Sequence, residues 1–114
     1  MSSITITCPV NQRPAAYPLN LQVKGTYTID FATIQTPTPG VCVKVKVVHP
    51  NGNTYTQGPT VTGSPWSLQF SNLPATGSSY AEVTAYLLNT DGQSLAAPYG
   101  PVECTIADPG TPCD

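Results

Sequence analysis

The sequence contains few charged residues. Only 9% of its 114 residues are Asp, Glu, Lys or Arg, whereas an average soluble domain has about a quarter. The four basic residues, Arg13, Lys24, Lys44 and Lys46, form no long run. We therefore expect a surface of neutral polar groups and no nucleic-acid partner, because phosphate binding requires a dense basic face.

Long apolar runs are also missing. No segment approaches the roughly 18 consecutive apolar residues that a membrane-spanning helix needs. Met1, Ser2 and Ser3 lead directly into a strand-like segment, with no basic and then apolar signal region. We predict no membrane span, and we expect either that a signal peptide has been removed or that the protein leaves its cell by another route.

Motifs for catalysis and for cofactor binding are missing as well. The single histidine, His49, precedes Pro50 and an Asn-Gly turn, so it is predicted to be a solvated turn residue. Glu82 and Glu103 could face each other on paired strands, but the expected location of both is the solvent face. No G-x-S-x-G, H-E-x-x-H or phosphate-binding glycine loop occurs. The prediction is a protein that is not an enzyme and has no cofactor.

The four cysteines form an even set without a C-x-x-C pair, which favours two disulfides over a zinc site. The alternation of the strands leaves two pairings open. One joins Cys8 to Cys113 and Cys42 to Cys104, and the other joins Cys8 to Cys104 and Cys42 to Cys113. Scattered aspartates such as Asp91 leave interstrand calcium as the alternative metal, although no metal site is predicted. Paired cysteines imply an oxidising location, extracellular or at the cell surface.

Alternation of apolar and polar residues predicts about seven strands, and no segment has an apolar set at helical spacing. Gly25 lies inside the second strand and predicts a bulge or bend there. Residues 35–40 are predicted to form a loop because they contain two prolines and a glycine. The predicted strands are residues 4–7, 19–31, 41–48, 54–56, 66–70, 80–88 and 102–106. We therefore predict a single domain over residues 1–114, all-β, with two sheets of antiparallel strands packed as a sandwich.

Nearly the whole chain resembles the bacterial immunoglobulin-like and fibronectin type III-like domains. The resemblance is carried by residues 4–9, 17–25, 66–74 and 80–92. It implies an immunoglobulin-like β-sandwich and a non-catalytic role, as a spacer, stalk or adhesion module of an extracellular or cell-surface protein. The partners that it implies are neighbouring domains or subunits.

One strand departs from the family pattern. Leu73 and Tyr80 match the leucine before the sixth strand and the tyrosine that opens it. Tyr80 is out of phase, however, with the inward set that contains Val83 and Leu87. The tyrosine packing of the family would therefore need a bulge here or would be absent.

Two other functions remain open. The proline-rich residues 10–18 and 109–114 suggest arms that lie across a neighbour, as in a decoration subunit with an immunoglobulin-like fold on a virion or filament surface. Aromatic residues could instead bind carbohydrate. Trp66 has the parity of core residues, whereas Tyr86 has the outward parity of its strand. Tyr86 is therefore the candidate for an exposed aromatic contact.

Overall fold

The computed structural model describes residues 3–29, 41–63, 65–89 and 91–112, so the predicted loop at 35–40 lies outside the described residues. The described chain forms seven strands and contains no helix. The strands are β1 (Ser3–Cys8), β2 (Gln22–Thr28), β3 (Val41–Val48), β4 (Thr54–Val61), β5 (Trp66–Gln69), β6 (Ala81–Asn89) and β7 (Tyr99–Cys104).

The strands form two antiparallel sheets. One sheet has three strands in the order β1-β2-β5, and the other has four in the order β4-β3-β6-β7. Their alternating apolar residues face one shared core, in which Val43, Val45, Val83 and Leu87 are fully buried. Trp66 is also in this core, with 2% of its surface exposed, as its parity predicted. The predicted all-β sandwich of about seven strands in two sheets is therefore confirmed.

Gly25 lies where the first sheet is most tightly packed. It pairs with Ile6 of β1 on one side and with Trp66 of β5 on the other. A Cβ atom built on Gly25 would lie 1.9 Å from the Thr5 carbonyl oxygen and 2.5 Å from Cζ2 of Trp66. The predicted irregularity is present, but the register shift is on the β1 side, between Ile6 and Cys8. Glycine is required here because the Trp66 ring and the β1 backbone occupy the space of a side chain.

The fourth and seventh strands differ from their predicted bounds. We expected β4 to end at residue 56, but it continues through Gly58 and Pro59 to Val61, with a register shift between Val43 and Val45 of β3. Likewise β7 begins at Tyr99, before the Gly100-Pro101 pair. Both are edge strands of the four-stranded sheet, where proline is tolerated because one side of the strand needs no donors.

The two ends of the sandwich can be assigned from contacts between the sheets. We call the end where β1 begins, with Ser3 beside Thr28, the near end. The Tyr27 hydroxyl donates to the Thr62 carbonyl oxygen at 2.7 Å, which places the end of β4 at the near end. At the opposite, far end, the Thr111 N–H donates to the Ala16 carbonyl at 2.8 Å. The described chain therefore begins at the near end of β1 and finishes beside its far end. The molecule measures 46 × 25 × 19 Å.

Candidate functional site

The two-disulfide prediction is wrong. Cys42 and Cys104 are both buried free thiols, and no disulfide joins two described cysteines. Cys8 is disulfide-bonded, to a partner outside the described residues, and Cys113 itself lies outside them. Both pairings considered above required a bond at Cys42 and a bond at Cys104, so neither full set of two disulfides is formed. The disulfide that both pairings expected at Cys8 is present.

Geometry explains why Cys42 and Cys104 cannot bond to each other. Cys42 pairs with Leu88 near one end of β6, whereas Cys104 pairs with Ala81 at its other end. At about 3.3 Å per residue, their Cα atoms are roughly 20 Å apart, far beyond the 7 Å limit for a disulfide. The two side chains also lie in different surroundings, since Cys104 belongs to the core cluster and Cys42 does not.

The Cys104 thiol is chemically inert in the folded protein. Its side chain is fully buried in the core, and desolvation by this burial raises its pKa to about 12. The thiolate, which is the reactive form of cysteine, is therefore almost absent at neutral pH. Cys104 acts as a small apolar residue in the sheet rather than as a nucleophile.

Tyr86 lies on the outer face of the four-stranded sheet, as its parity predicted. It is half-buried, and it pairs across the sheet with Lys44. The Lys44 Nζ atom is 4.7 Å from the centre of the Tyr86 ring. Since a cation already covers this ring, a sugar would have to displace it in order to stack on Tyr86.

His49 is buried and not solvated, which corrects the expectation from its place beside a turn. Only 4% of its surface is exposed. Its Nδ1 atom accepts a hydrogen bond from the Asn51 N–H, so the Nε2 atom carries the proton and donates to the Pro74 carbonyl at 2.7 Å. His49 thereby joins the β3–β4 turn to the loop after β5, a contact between the sheets that strand parity cannot predict.

The two glutamates do face each other on the outer face, since Glu82 pairs with Glu103 across β6 and β7. The Glu103 Oε1 atom accepts a hydrogen bond from Gln12 Nε2 at 2.7 Å. Tyr80 is 42% exposed, so its side chain is not packed in the core. Among the described residues, no three of His, Cys, Asp and Glu come together as a metal site.

A cavity of about 460 Å³ at the far end is a candidate site. It lies where two segments meet, the N-terminal connection (residues 9–18) and the C-terminal tail (residues 105–112). Tyr17 joins them, because its N–H donates to the Thr105 carbonyl and its carbonyl accepts from Ala107, each at 2.9 Å. The tail packs so closely that a Cβ on Gly110 would lie 2.3 Å from the Tyr17 backbone.

Two basic side chains line this cavity, Arg13 from the connection and Lys24 from the outward face of β2. The Arg13 guanidinium donates to the Thr111 carbonyl at 2.9 Å and lies 4.1 Å from the centre of the Tyr17 ring. A second cavity of about 300 Å³ adjoins it across Tyr17 and is lined by amides, including Asn20 and Gln69. Sequence reasoning missed the basic cavity because Arg13 and Lys24 are distant along the chain and no motif links them.

Comparisons with known proteins found no match. No protein-family model, no curated protein and no solved structure matches the chain. In the part of the chain that the structure describes, no helix is long and apolar enough to cross a membrane.

Proposed function

We propose that the chain is a non-catalytic spacer or adhesion module of an extracellular or cell-surface protein, of the immunoglobulin-like or fibronectin type III-like kind. The observation that carries this proposal is the path of the chain. It enters beside Thr28 at one end of β1, and its last described residues lie beside Cys8 and Lys24 at the other end of that strand. A domain of this form holds parts attached to its two ends apart by at least the length of β1, about 17 Å at about 3.3 Å per residue.

The edges of the four-stranded sheet support the same role. Exposed edge strands are templates for pairing with other chains, and natural proteins interrupt them with bulges and proline. Here both edges carry a Gly-Pro pair at a register shift, Gly58-Pro59 on β4 and Gly100-Pro101 on β7. Both glycines have positive φ, 84° and 124°, which carries the backbone out of the regular ladder. These interruptions favour a block that does not polymerise through strand pairing.

A tandem protein made of two full-length copies tests the proposal. We expect small-angle scattering to give a monomeric particle with a maximum dimension well above that of a single copy, because the described chain begins and finishes at opposite ends of β1 and the copies would lie one after the other. A folded-back, side-by-side particle would contradict the spacer role. A single copy that forms a large assembly in light scattering would favour the virion or filament subunit instead.

The edge interruptions can be tested with matched proline variants. Pro59→Thr together with Pro101→Thr restores backbone donors at both edges, and we expect this variant to self-associate at concentrations at which the wild type is monomeric. Pro65→Thr, an exposed position outside the strands, is the control. Equal association of the two variants in light scattering would show that the edge prolines do not protect the sheet.

A further inference from the structure

The cavity at the far end concentrates positive charge in a chain that has little charge. Two of the four basic residues, Arg13 and Lys24, line it, although the formal net charge of the whole chain is −2. Among the described residues that line the cavity, none is acidic. A concave site whose walls carry one sign of charge focuses the field and attracts the opposite sign.

Two contacts hold the Arg13 side chain in place before any ligand binds. Its Nη2 atom donates to the Thr111 carbonyl, and its guanidinium packs on the Tyr17 ring. A guanidinium has five N–H donors in a planar fork that matches carboxylate, sulfate or phosphate oxygens. The other N–H groups of Arg13 make no hydrogen bond with any described residue, so donors remain for a ligand at no cost in side-chain ordering.

Tyr17 supports the cavity from below and does not contact its contents. It is fully buried, and its hydroxyl oxygen accepts a hydrogen bond from the Val10 N–H at 2.7 Å. Its ring lies 4.1 Å from the Arg13 guanidinium. The buried ring therefore fixes the position of Arg13 in the cavity wall.

We propose that this cavity binds a small molecule through an oxyanion, with Arg13 and Lys24 supplying charge. The volume of about 460 Å³ is within the range of roughly 300–1,000 Å³ for small-molecule sites. Val10 and Pro112 give it apolar walls, so a carboxylate or sulfate on a compact body of monosaccharide size suits it better than a long polyanion. This site goes beyond the spacer role and does not depend on it.

Titration with defined anions, monitored through the backbone amide signals of the full chain in NMR, tests the proposal. The probes are sodium acetate, sodium sulfate and sodium glucuronate. We expect saturable shifts at Thr7, Val10 and Thr111, which line the cavity, and none at Thr84 on the other sheet. Tighter binding of glucuronate than of acetate would show that the cavity walls contact the body of the ligand, whereas equal affinities would identify a site for the free ion.

Variants separate a specific site from general charge attraction. Lys24→Gln is expected to weaken binding about tenfold, because one charge-assisted contact with the ligand is lost. Lys46→Gln removes the same charge from the other sheet, where Lys46 pairs with Thr84, and should leave binding unchanged. Thermal melts establish that each variant is folded.

Three results would overturn the proposal. The first is no saturable shift with any of the anions, and the second is equal weakening by Lys24→Gln and Lys46→Gln. The third concerns Asp114, whose carboxylate is two residues beyond Pro112 in the sequence. Binding seen only in Asp114→Asn would show that the basic cavity serves the chain's own carboxylate and not a separate ligand.

Discussion

Substitution of Gly25 by alanine should be among the most destabilising changes of a single methyl group in this protein. The new Cβ would lie 1.9 Å from the Thr5 carbonyl oxygen and 2.5 Å from Cζ2 of Trp66. The Thr5 oxygen is backbone in a strand that pairs on both sides of this point, from Ile4 to Ile6. It cannot move away without breaking the β1–β2 ladder, and the Trp66 ring is buried in the core.

The expected loss of stability can be worked out from these contacts. Overpacking a core typically costs about 1–3 kcal/mol, and disruption of ladder hydrogen bonds adds about 1 kcal/mol each. We therefore expect Gly25→Ala to lose at least about 3 kcal/mol, which lowers the midpoint of thermal unfolding by roughly 12 °C at about 4 °C per kcal/mol. Gly63→Ala is the matched control, since no atom lies within 4 Å of the position of its Cβ. Alanine there should be neutral or stabilising.

Urea unfolding, monitored by tryptophan fluorescence and by circular dichroism, measures both variants. Equal midpoints for Gly25→Ala and Gly63→Ala would refute the close-approach explanation. The double variant Gly25→Ala, Trp66→Phe relieves the contact with the indole but leaves the contact with Thr5. It should therefore recover only part of the loss relative to Trp66→Phe alone, and full recovery would show that the backbone contact is unimportant.

Two further predictions concern buried polar groups. His49→Ala should lower the free energy of unfolding measured in urea by about 2–3 kcal/mol, because it leaves the Pro74 carbonyl without its donor. A loss below about 0.5 kcal/mol, which is typical of surface positions, would contradict the bridging role. The Cys104 pKa rises from 9.0 when unfolded to about 12 when folded, so the unfolded state loses its proton first and stability is lost as the pH rises between these values. Relative to Cys104→Ala, the wild type should lose up to about 1.4 kcal/mol per pH unit in that range, and parallel pH profiles would contradict it.

Strand positions and the core were predictable because they depend on local alternation. The run from Val41 to Val48 fixes which residues of β3 face inward, and Val43, Val45 and Val47 are all fully buried. Edge strands were less predictable. Gly58 and Pro59 indicate the end of a ladder by their own properties, but β3 provides a regular partner on one side, and β4 continues past them. Local preference decides a strand end only where no neighbour is already in place.

Contacts between distant segments were not predictable from the sequence. His49 was expected to be solvated because the residues around it form a turn, and its burial depends on Pro74, which is 25 residues away. The cysteine prediction failed for a similar reason. An even count indicates pairing, but only the register shows that Cys42 and Cys104 lie at opposite ends of the sheet. The Arg13 and Lys24 cavity likewise exists only after the N-terminal connection and the C-terminal tail meet.

The position of the basic cavity relates the two proposals to each other. Its walls are the N-terminal connection and the C-terminal tail, which Arg13 holds together through Thr111. An oxyanion bound there would contact both segments in the folded state only, and such a ligand stabilises folding by an amount that grows with its concentration. In the proposed spacer, load between neighbouring parts would be applied at the two ends of the chain, and the C-terminal tail leads to one of them. Binding at the cavity would therefore strengthen the attachment of the tail to the rest of the domain.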